Sequence, residues 1–336
     1  MTAMLDQPKT TRQPRPNLKA LAAEALASQP ELLSVSAEIQ AKEFLTTELK
    51  LKFGQQVESL LATGLLEINE QGEKGATGID GNFYKLPTPE QVTAYFNSPE
   101  RKAFIERKVG QGFTRLLITP FAAPLDSLTA KTAGLIKKHD ADGKLFKQEG
   151  TALYVDDRIP FWVLHDLQNA DRANHLVYNV TKFDQTDHGG KTKSDLLIDS
   201  TQPFPGFRIQ LIQQELIIPR EESGTAIKDR PSLEAGRSPN EYLAIIQDPT
   251  SPYYKEHGLT PEDWISLFST TLHETNRVID NPKDGINSAT NLIGSYVHPV
   301  NVVPTTYWDS NFERACLNTN RPHRKNPIEG VRMAVG

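Results

Sequence analysis

Three times this chain sets a hydroxyl residue before a proline and an acid or amide three positions after the hydroxyl. The units are Thr88-Pro89-Glu90-Gln91, Ser238-Pro239-Asn240-Glu241 and Thr260-Pro261-Glu262-Asp263. Each is a helix start contained in four residues. The hydroxyl accepts from free N–H groups of the first turn, and proline loses no hydrogen bond at the first helical position. The acid or amide suits the positive helix end and reaches back to the cap. These units therefore locate helices without saying anything about chemistry.

Around them the apolar pattern supplies the other elements. Residues 1–16 are polar, proline-interrupted and without apolar period, as in a flexible tail. Asn17 is placed to cap a short helix over LKALAAEALAS. A longer helix is expected from about Ser36 to Thr63, with Ile39, Leu45, Leu49, Phe53, Val57, Leu60 and Leu61 near helical spacing and Gly64 as its C-cap. Glu67–Leu86 reads as a hairpin or loop, Phe113–Thr119 as a buried strand and Leu125–His139 as an amphipathic helix. The charged, irregular stretch 140–160 is the expected domain boundary, dividing an α-rich N-terminal domain (17–150) from a mixed α/β domain (151–336). In the latter, Phe161–Leu164, Leu176–Val180 and Phe207–Gln214 read as strands, and 219–237 as a surface loop. The strongest helix pattern runs from Pro261 to about Ile279. Trp264, Leu267, Phe268, Leu272, Val278 and Ile279 share one face, Glu262, Asp263 and Ser269 lie elsewhere, and Arg277 stands near the negative end. This helix is expected to pack on the sheet that ends with Val331–Val335. The fold class expected is thus α+β.

Composition narrows the function classes. A single cysteine, Cys316, forbids an intrachain disulfide and any cysteine-based zinc site, so packing must hold the fold. The formal charge of −5 lacks the basic surplus of a protein that lives on phosphate backbones, and nucleic acid is not an expected partner. No run nears the ~20 apolar residues that cross a bilayer, and the N-terminus has no secretory apolar core. The expected location is cytoplasmic.

Candidate chemistry is sparse. Gly189-Gly190-Lys191-Thr192 resembles the end of a phosphate-binding loop, but Gln185 stands where the first glycine belongs, and a solvated turn is expected. His273-Glu274 lacks the second histidine of a zinc-protease helix. His139-Asp140 and His165-Asp166 are single pairs, and the eight histidines show no metal-ligand spacing. Asp156-Asp157 and Glu221-Glu222 read as solvated charge, and Arg321-Pro322-His323-Arg324-Lys325 as a solvated loop. Cys316, set between Ala315 and Leu317, reads as a buried strand residue rather than a nucleophile, which needs an exposed, electropositive place. No catalytic residue, metal or cofactor is expected.

The informative stretch is the tail, Asn291–Val335. Two apolar runs, Leu292–Val297 and Val300–Val303, precede a segment rich in Asn, Asp, Arg and aromatic residues, and the chain closes on Gly330-Val331-Arg332-Met333-Ala334-Val335. With Arg314-Ala315-Cys316-Leu317 and Arg321-Pro322-His323-Arg324, this ending resembles that of C-type-lectin-fold proteins of the formylglycine-generating-enzyme type. Among those are the variable proteins of diversity-generating retroelements. The resemblance covers about thirty residues. It implies a C-type-lectin-like domain over 151–336, closed by a terminal strand, with a preceding segment whose side chains are diversified to bind different ligands. Formylglycine-generating catalysis in that family uses a cysteine pair, and this chain has one cysteine. The resemblance therefore implies a binding protein and not an enzyme. Its expected ligand-binding residues are Tyr307, Trp308, Asp309, Ser310, Asn311, Phe312, Asn318, Asn320, His323 and Asn326, with a protein or glycan as ligand. Of the two adjacent aromatics, Tyr307 and Trp308, at least one is expected in the core. The N-terminal helices are expected to serve homo-oligomerisation or attachment. The alternatives are a metal-dependent hydrolase whose histidines and acids meet only in the fold, and a structural subunit of a phage or mobile element.

Overall fold

The computed structural model describes residues 41–336 apart from 157, 215, 221–229 and 285–286. The expected tail, the helix after Asn17, the start of the next helix, Asp157 and Glu221–Glu222 lie outside the described residues. Over the rest the chain is α+β, with helices and strands interleaved throughout.

All three hydroxyl–proline units cap helices as expected. Thr88, Ser238 and Thr260 accept from the backbone N–H three residues on, and Gln91, Glu241 and Asp263 return the bond. They open α2 (Pro89–Phe96), α6 (Pro239–Gln247) and α7 (Pro261–Thr275). The helix before them, α1 (Leu49–Ala62), buries Leu49, Phe53, Val57 and Leu60 and continues a π-turn over Phe44–Glu48. Two more long elements, α3 (Lys102–Gly110) and α4 (Leu125–Ala141), complete the first half.

Among the described residues the strands form four sheets. A meander joins β1 (Glu67–Ile68), β2 (Lys74–Thr77) and β3 (Phe83–Lys85). A second sheet runs in the order β4 (Arg115–Thr119), β8 (Arg208–Ile212), β15 (Met333–Val335), β9 (His257–Gly258). It draws strands from both sides of residue 150, and one apolar core extends from Ala41 to Val335. A third joins β11 (Ser295–Val297), β6 (Leu176–Tyr178) and β7 (Lys191–Thr192), the last leading into α5 (Lys193–Ile198). The fourth carries the candidate site. Its order is β14 (Glu329–Gly330), β10 (Ala289–Asn291), β12 (Val303–Asp309), β13 (Arg314–Asn320), β5 (Phe161–Val163).

Helix α7 lies among these layers, packed on α1, α4, β4 and β12. It meets the sheet containing β15, as its apolar face requires, but departs from expectation in two ways. It stops at Thr275, because Asn276 takes the left-handed conformation (φ 60°) and caps it, so Arg277, Val278 and Ile279 lie beyond the helix. It is also buried on every side from Pro261 to Leu272, and the acids assigned to a polar face are inside. Each has a partner from elsewhere in the chain. Glu262 accepts from the Tyr178 hydroxyl at 2.7 Å and pairs with Lys193 at 2.8 Å. Asp263 accepts from Thr119 at 2.8 Å, and Ser269 meets Thr132 at 2.9 Å. Buried polar groups with such partners cost little, whereas unpartnered ones are expensive.

Just after α7, Asp280 gathers three elements. Its carboxylate accepts from Trp264 Nε1 and Thr290 Oγ1, each at 2.7 Å, and from Arg332. Arg332 is the one charge in the terminal apolar stretch, and this is where it goes. Gly330, two residues earlier, serves by close approach and not by a turn: a Cβ there would stand 2.4 Å from Ile218 Cγ2.

Candidate functional site

β12 and β13 pair antiparallel through seven registered positions, from Val303↔Asn320 to Asp309↔Arg314. Because successive side chains alternate between faces, this register sorts the tail residues. Thr306 and Trp308, with Leu317 and Ala315, point inward. Trp308 is 1% exposed and stacks on Phe268 of α7, ring centroids 6.4 Å apart and planes within 7°. It is the core member of the aromatic pair and leaves the expected surface. Tyr307 and Asp309, with Arg314, Cys316 and Asn318, share the other face, where Tyr307, Asp309, Arg314 and Asn318 are half-buried. β5 runs parallel beyond β13 and sets Trp162 beside Cys316.

The four-residue turn is built by Asp309. Its Oδ1 accepts from the N–H groups of Asn311 (2.9 Å) and Phe312 (3.4 Å), the usual use of a short acid in a turn. Ser310 donates to Asn281, and Lys283 donates to Asn311, so the turn is tethered to the segment after Asp280. Phe312 is 60% exposed. The Arg314 guanidinium lies 5.3 Å from the centre of the Trp162 ring and 4.8 Å from that of Phe312. Farther in, Asn318 Nδ2 donates to the Tyr307 hydroxyl at 3.2 Å. Burial pushes the Tyr307 phenol up. Burial, with Asp309 beside it, pushes the Cys316 thiol up to about 12. At 1% exposure Cys316 is an inert strand residue, as its neighbours in sequence suggested.

The remaining expected residues gather at the other end of the same sheet. Asn320, 3% exposed, donates to Glu329 at 2.5 Å, and Asn326 donates to the other Glu329 oxygen at 2.6 Å. Burial pushes the Glu329 carboxyl up. His323 is exposed on the following loop, which Lys325 ties to Glu241 of α6 at 2.7 Å. Six residues of strand, about 20 Å, separate this end from Arg314. The ten expected residues therefore divide: an outer patch of Tyr307, Asp309, Ser310, Asn311, Phe312 and Asn318, an inner amide–carboxylate cluster of Asn320 and Asn326, His323 exposed on the loop between those two amides, and Trp308 in the core. Sequence reasoning missed Trp162 and the role of Arg314. Alternation across a hairpin centred on Ser310–Glu313 would have given Arg314, while Trp162 arrives by a parallel pairing over a hundred residues away.

The other candidates separate as well. Lys191 and Thr192 form β7, Thr192 caps α5, and Lys191 pairs with Asp199 at 2.8 Å, so this segment is a strand and cap instead of a free turn. His139 is buried, its Nδ1 3.2 Å from the Lys144 carbonyl. His165 meets Asp166 at 2.8 Å on the surface. His273 and Glu274 line a cleft of about 560 Å³ between α1 and α7, shared with Arg115, Gln56 and Ser59. Among the described residues no three His, Cys, Asp or Glu side chains converge to hold a metal ion. No described helix is long and apolar enough to cross a membrane. No protein family matches this chain, and neither a curated protein nor a solved structure does.

Proposed function

We propose that this is a non-enzymatic ligand-binding protein that meets its ligand on the outer face of the β12–β13 hairpin, and that its C-terminal region is a C-type-lectin-like fold of the variable-protein kind. One observation carries the reading. The hairpin's inward row is locked into the core while its outward row presents half-exposed aromatic, amide and charged side chains. Rigid aromatic area beside adaptable hydrogen-bonding groups is the composition of evolved binding surfaces. A face held at both ends also tolerates replacement of its outward residues, which a diversified segment requires.

The test is to sequence this locus in many isolates. A diversified binding protein has a near-copy of the codons for 305–332 nearby, differing mainly at adenines, beside a reverse transcriptase. Its substitutions fall at Tyr307, Asn311, Phe312 and Asn318 and spare Thr306, Trp308, Ala315 and Leu317. Variation spread evenly over both rows, or confined to the inward one, refutes the assignment of this face.

A further inference from the structure

We propose that Lys193 and Asp171 become joined by an amide bond after the chain folds, with Glu262 as the proton-transfer group, so that the protein crosslinks itself. The three side chains come from separate places. Lys193 opens α5, Glu262 is the second residue of α7, and Asp171 lies in the turn before β6. All three are sealed from solvent. The Lys193 ammonium stands 2.8 Å from Asp171 Oδ2, 2.8 Å from Glu262 Oε1 and 2.9 Å from the Ala123 carbonyl, one acceptor for each of its N–H bonds. It lies 5.3 Å from the centre of the Phe121 ring, which meets Tyr178 edge-on. Among the described residues no other lysine ammonium meets two buried carboxylates; Lys108 has Glu256 alone, and Arg230 shares it.

A nucleophile, an acceptor carbon and a proton carrier held together in a dry site are what amide formation requires. The two carboxylates are held differently, and that assigns their roles. Asp171 accepts a backbone N–H on each oxygen, from Arg172 on Oδ1 and from Leu125 on Oδ2, each at 2.9 Å. These donors draw electrons from its carbon and stabilise charge on its oxygens. Glu262 takes the Tyr178 hydroxyl on Oε1 at 2.7 Å, while its Oε2 is buried with no partner, open to a proton. The newly folded chain holds the trio as ions. Burial disfavours the charged forms, and a proton passing from Nζ to Asp171 along their hydrogen bond leaves a neutral amine beside a neutral acid. Nζ then bonds to Asp171 Cγ while a second ammonium proton moves to Glu262, and negative charge gathers on Oδ1 under the Arg172 N–H. As the Oδ1 carbonyl reforms, the Cγ–Oδ2 bond breaks. Oδ2 leaves as water, with the proton it holds and the one Glu262 returns. The third proton stays on the new amide, facing the Ala123 carbonyl, and Glu262 ends ionised as it began. One cation and one carboxylate thereby disappear from a site that held them at a desolvation cost, which favours the product. The bond closes a loop over 171–193 that contains β6 and the first residues of β7 and α5.

The experiment is intact-mass spectrometry of the purified full chain under denaturing conditions, followed by tryptic mapping. The expected mass is one water below that of the sequence, with a branched peptide joining the Asp171 and Lys193 segments and no cleavage after Lys193. Asp171→Asn loses ammonia instead and reaches the same final mass, because the linked product is identical. Glu262→Gln and Lys193→Arg keep their full sequence mass. Each of these variants retains a buried cation with a carboxylate partner, and circular dichroism checks that it is folded. Wild-type protein that stays at full mass on prolonged incubation near neutral pH, with trypsin cutting after Lys193, overturns the proposal and needs no variant. A water loss that persists in Lys193→Arg and maps to Asp80-Gly81 or Asp142-Gly143 is ring closure at an Asp–Gly step, and it also overturns the crosslink. A branch on Glu262 in place of Asp171, or linking of Glu262→Gln at the wild-type rate, overturns the assigned roles.

Discussion

Two buried clusters of charge make opposite predictions for what looks like the same substitution. Lys193 is fully buried with its ammonium 2.8 Å from Asp171, 2.8 Å from Glu262 and 2.9 Å from the Ala123 carbonyl. Lys108 is buried 2.6 Å from Glu256, which also takes a two-pronged bond from Arg230 at 2.7 and 2.8 Å. The first cluster holds one cation for two carboxylates, the second two cations for one. Lys193→Met, which keeps most of the stem volume, leaves two buried carboxylates and no cation between them. Burial raises the Asp171 carboxyl, but Lys193 and two backbone amides outweigh it and hold the group below the usual range. Without Lys193 the buried Asp171 carboxylate is left facing its burial penalty without its cation, which costs about 3–5 kcal/mol, the range for orphaning a buried charge. That is a large part of a stability of about 5–15 kcal/mol. Lys108→Met leaves the Arg230–Glu256 pair complete. Burial already pushes the Lys108 ammonium down, and the expected cost is only about 1–2 kcal/mol. The signs with pH differ too. A carboxyl that burial raises in the folded state gives up stability as pH rises, so the Lys193→Met deficit shrinks as pH falls from about 7 to about 5, and the Lys108→Met deficit stays level. Guanidinium unfolding followed by tryptophan fluorescence at both pH values reads this directly. Equal costs for the two variants, or a Lys193→Met deficit independent of pH, would refute the charge-count argument.

Two further outcomes follow from single groups. Cys316, buried with its thiol pushed up to about 12, resists iodoacetamide at about pH 8 in the native protein and reacts once denaturant opens the fold; native-state alkylation at the denatured rate would contradict the placement. His257 is pushed down to about 4 by burial and then by the Arg208 charge, and its Nε2 lies 2.8 Å from Gln210 Oε1. A depressed group contributes stability above its ordinary value of about 6.5 that is lost as pH falls toward 4, here at most ~3 kcal/mol. His257→Gln, which keeps a donor toward Gln210, flattens the stability profile between pH 7 and 5; an unchanged slope would assign that loss to other groups.

What the sequence discloses is what lies within a few residues of itself. Thr88, Ser238 and Thr260 announce their helices because hydroxyl, proline and acid are all inside one turn. The end of α7 is missed because apolar spacing continues through Val278 and Ile279, while a single left-handed Asn276 decides the matter. Glu262 and Asp263 read as surface because acids usually are; their partners, Lys193, Tyr178 and Thr119, lie 69, 84 and 144 residues away. The candidate site shows the same division. The composition of 307–326 flags the region, but which side chains face outward depends on a hairpin register, and its most exposed aromatic neighbour on β5 depends on a parallel pairing that no local pattern encodes.

The register also explains how one segment can be both fixed and free. The backbone N–H of Trp308 donates to the carbonyl of Asp280 at 2.9 Å, and the Asp280 carboxylate holds Trp264, Thr290 and Arg332. The inward row of the hairpin is thereby tied to the central helix, to the neighbouring strand and to the chain's last strand through one residue. Truncating Trp308 or orphaning Arg332 would cost several kcal/mol, about 3–5 each. The outward residues Tyr307, Asn311, Phe312 and Asn318 make only surface contacts, such as Lys283 with Asn311 and Asn318 with Tyr307, and their replacement belongs to the range of about ±0.5 kcal/mol typical of surface positions, rising toward about 1 kcal/mol for half-buried Tyr307. The residues that hold the fold therefore alternate with outward ones on the same two strands, and under the proposed function a ligand on the outer row would meet a surface whose ordering cost the inner row has already met.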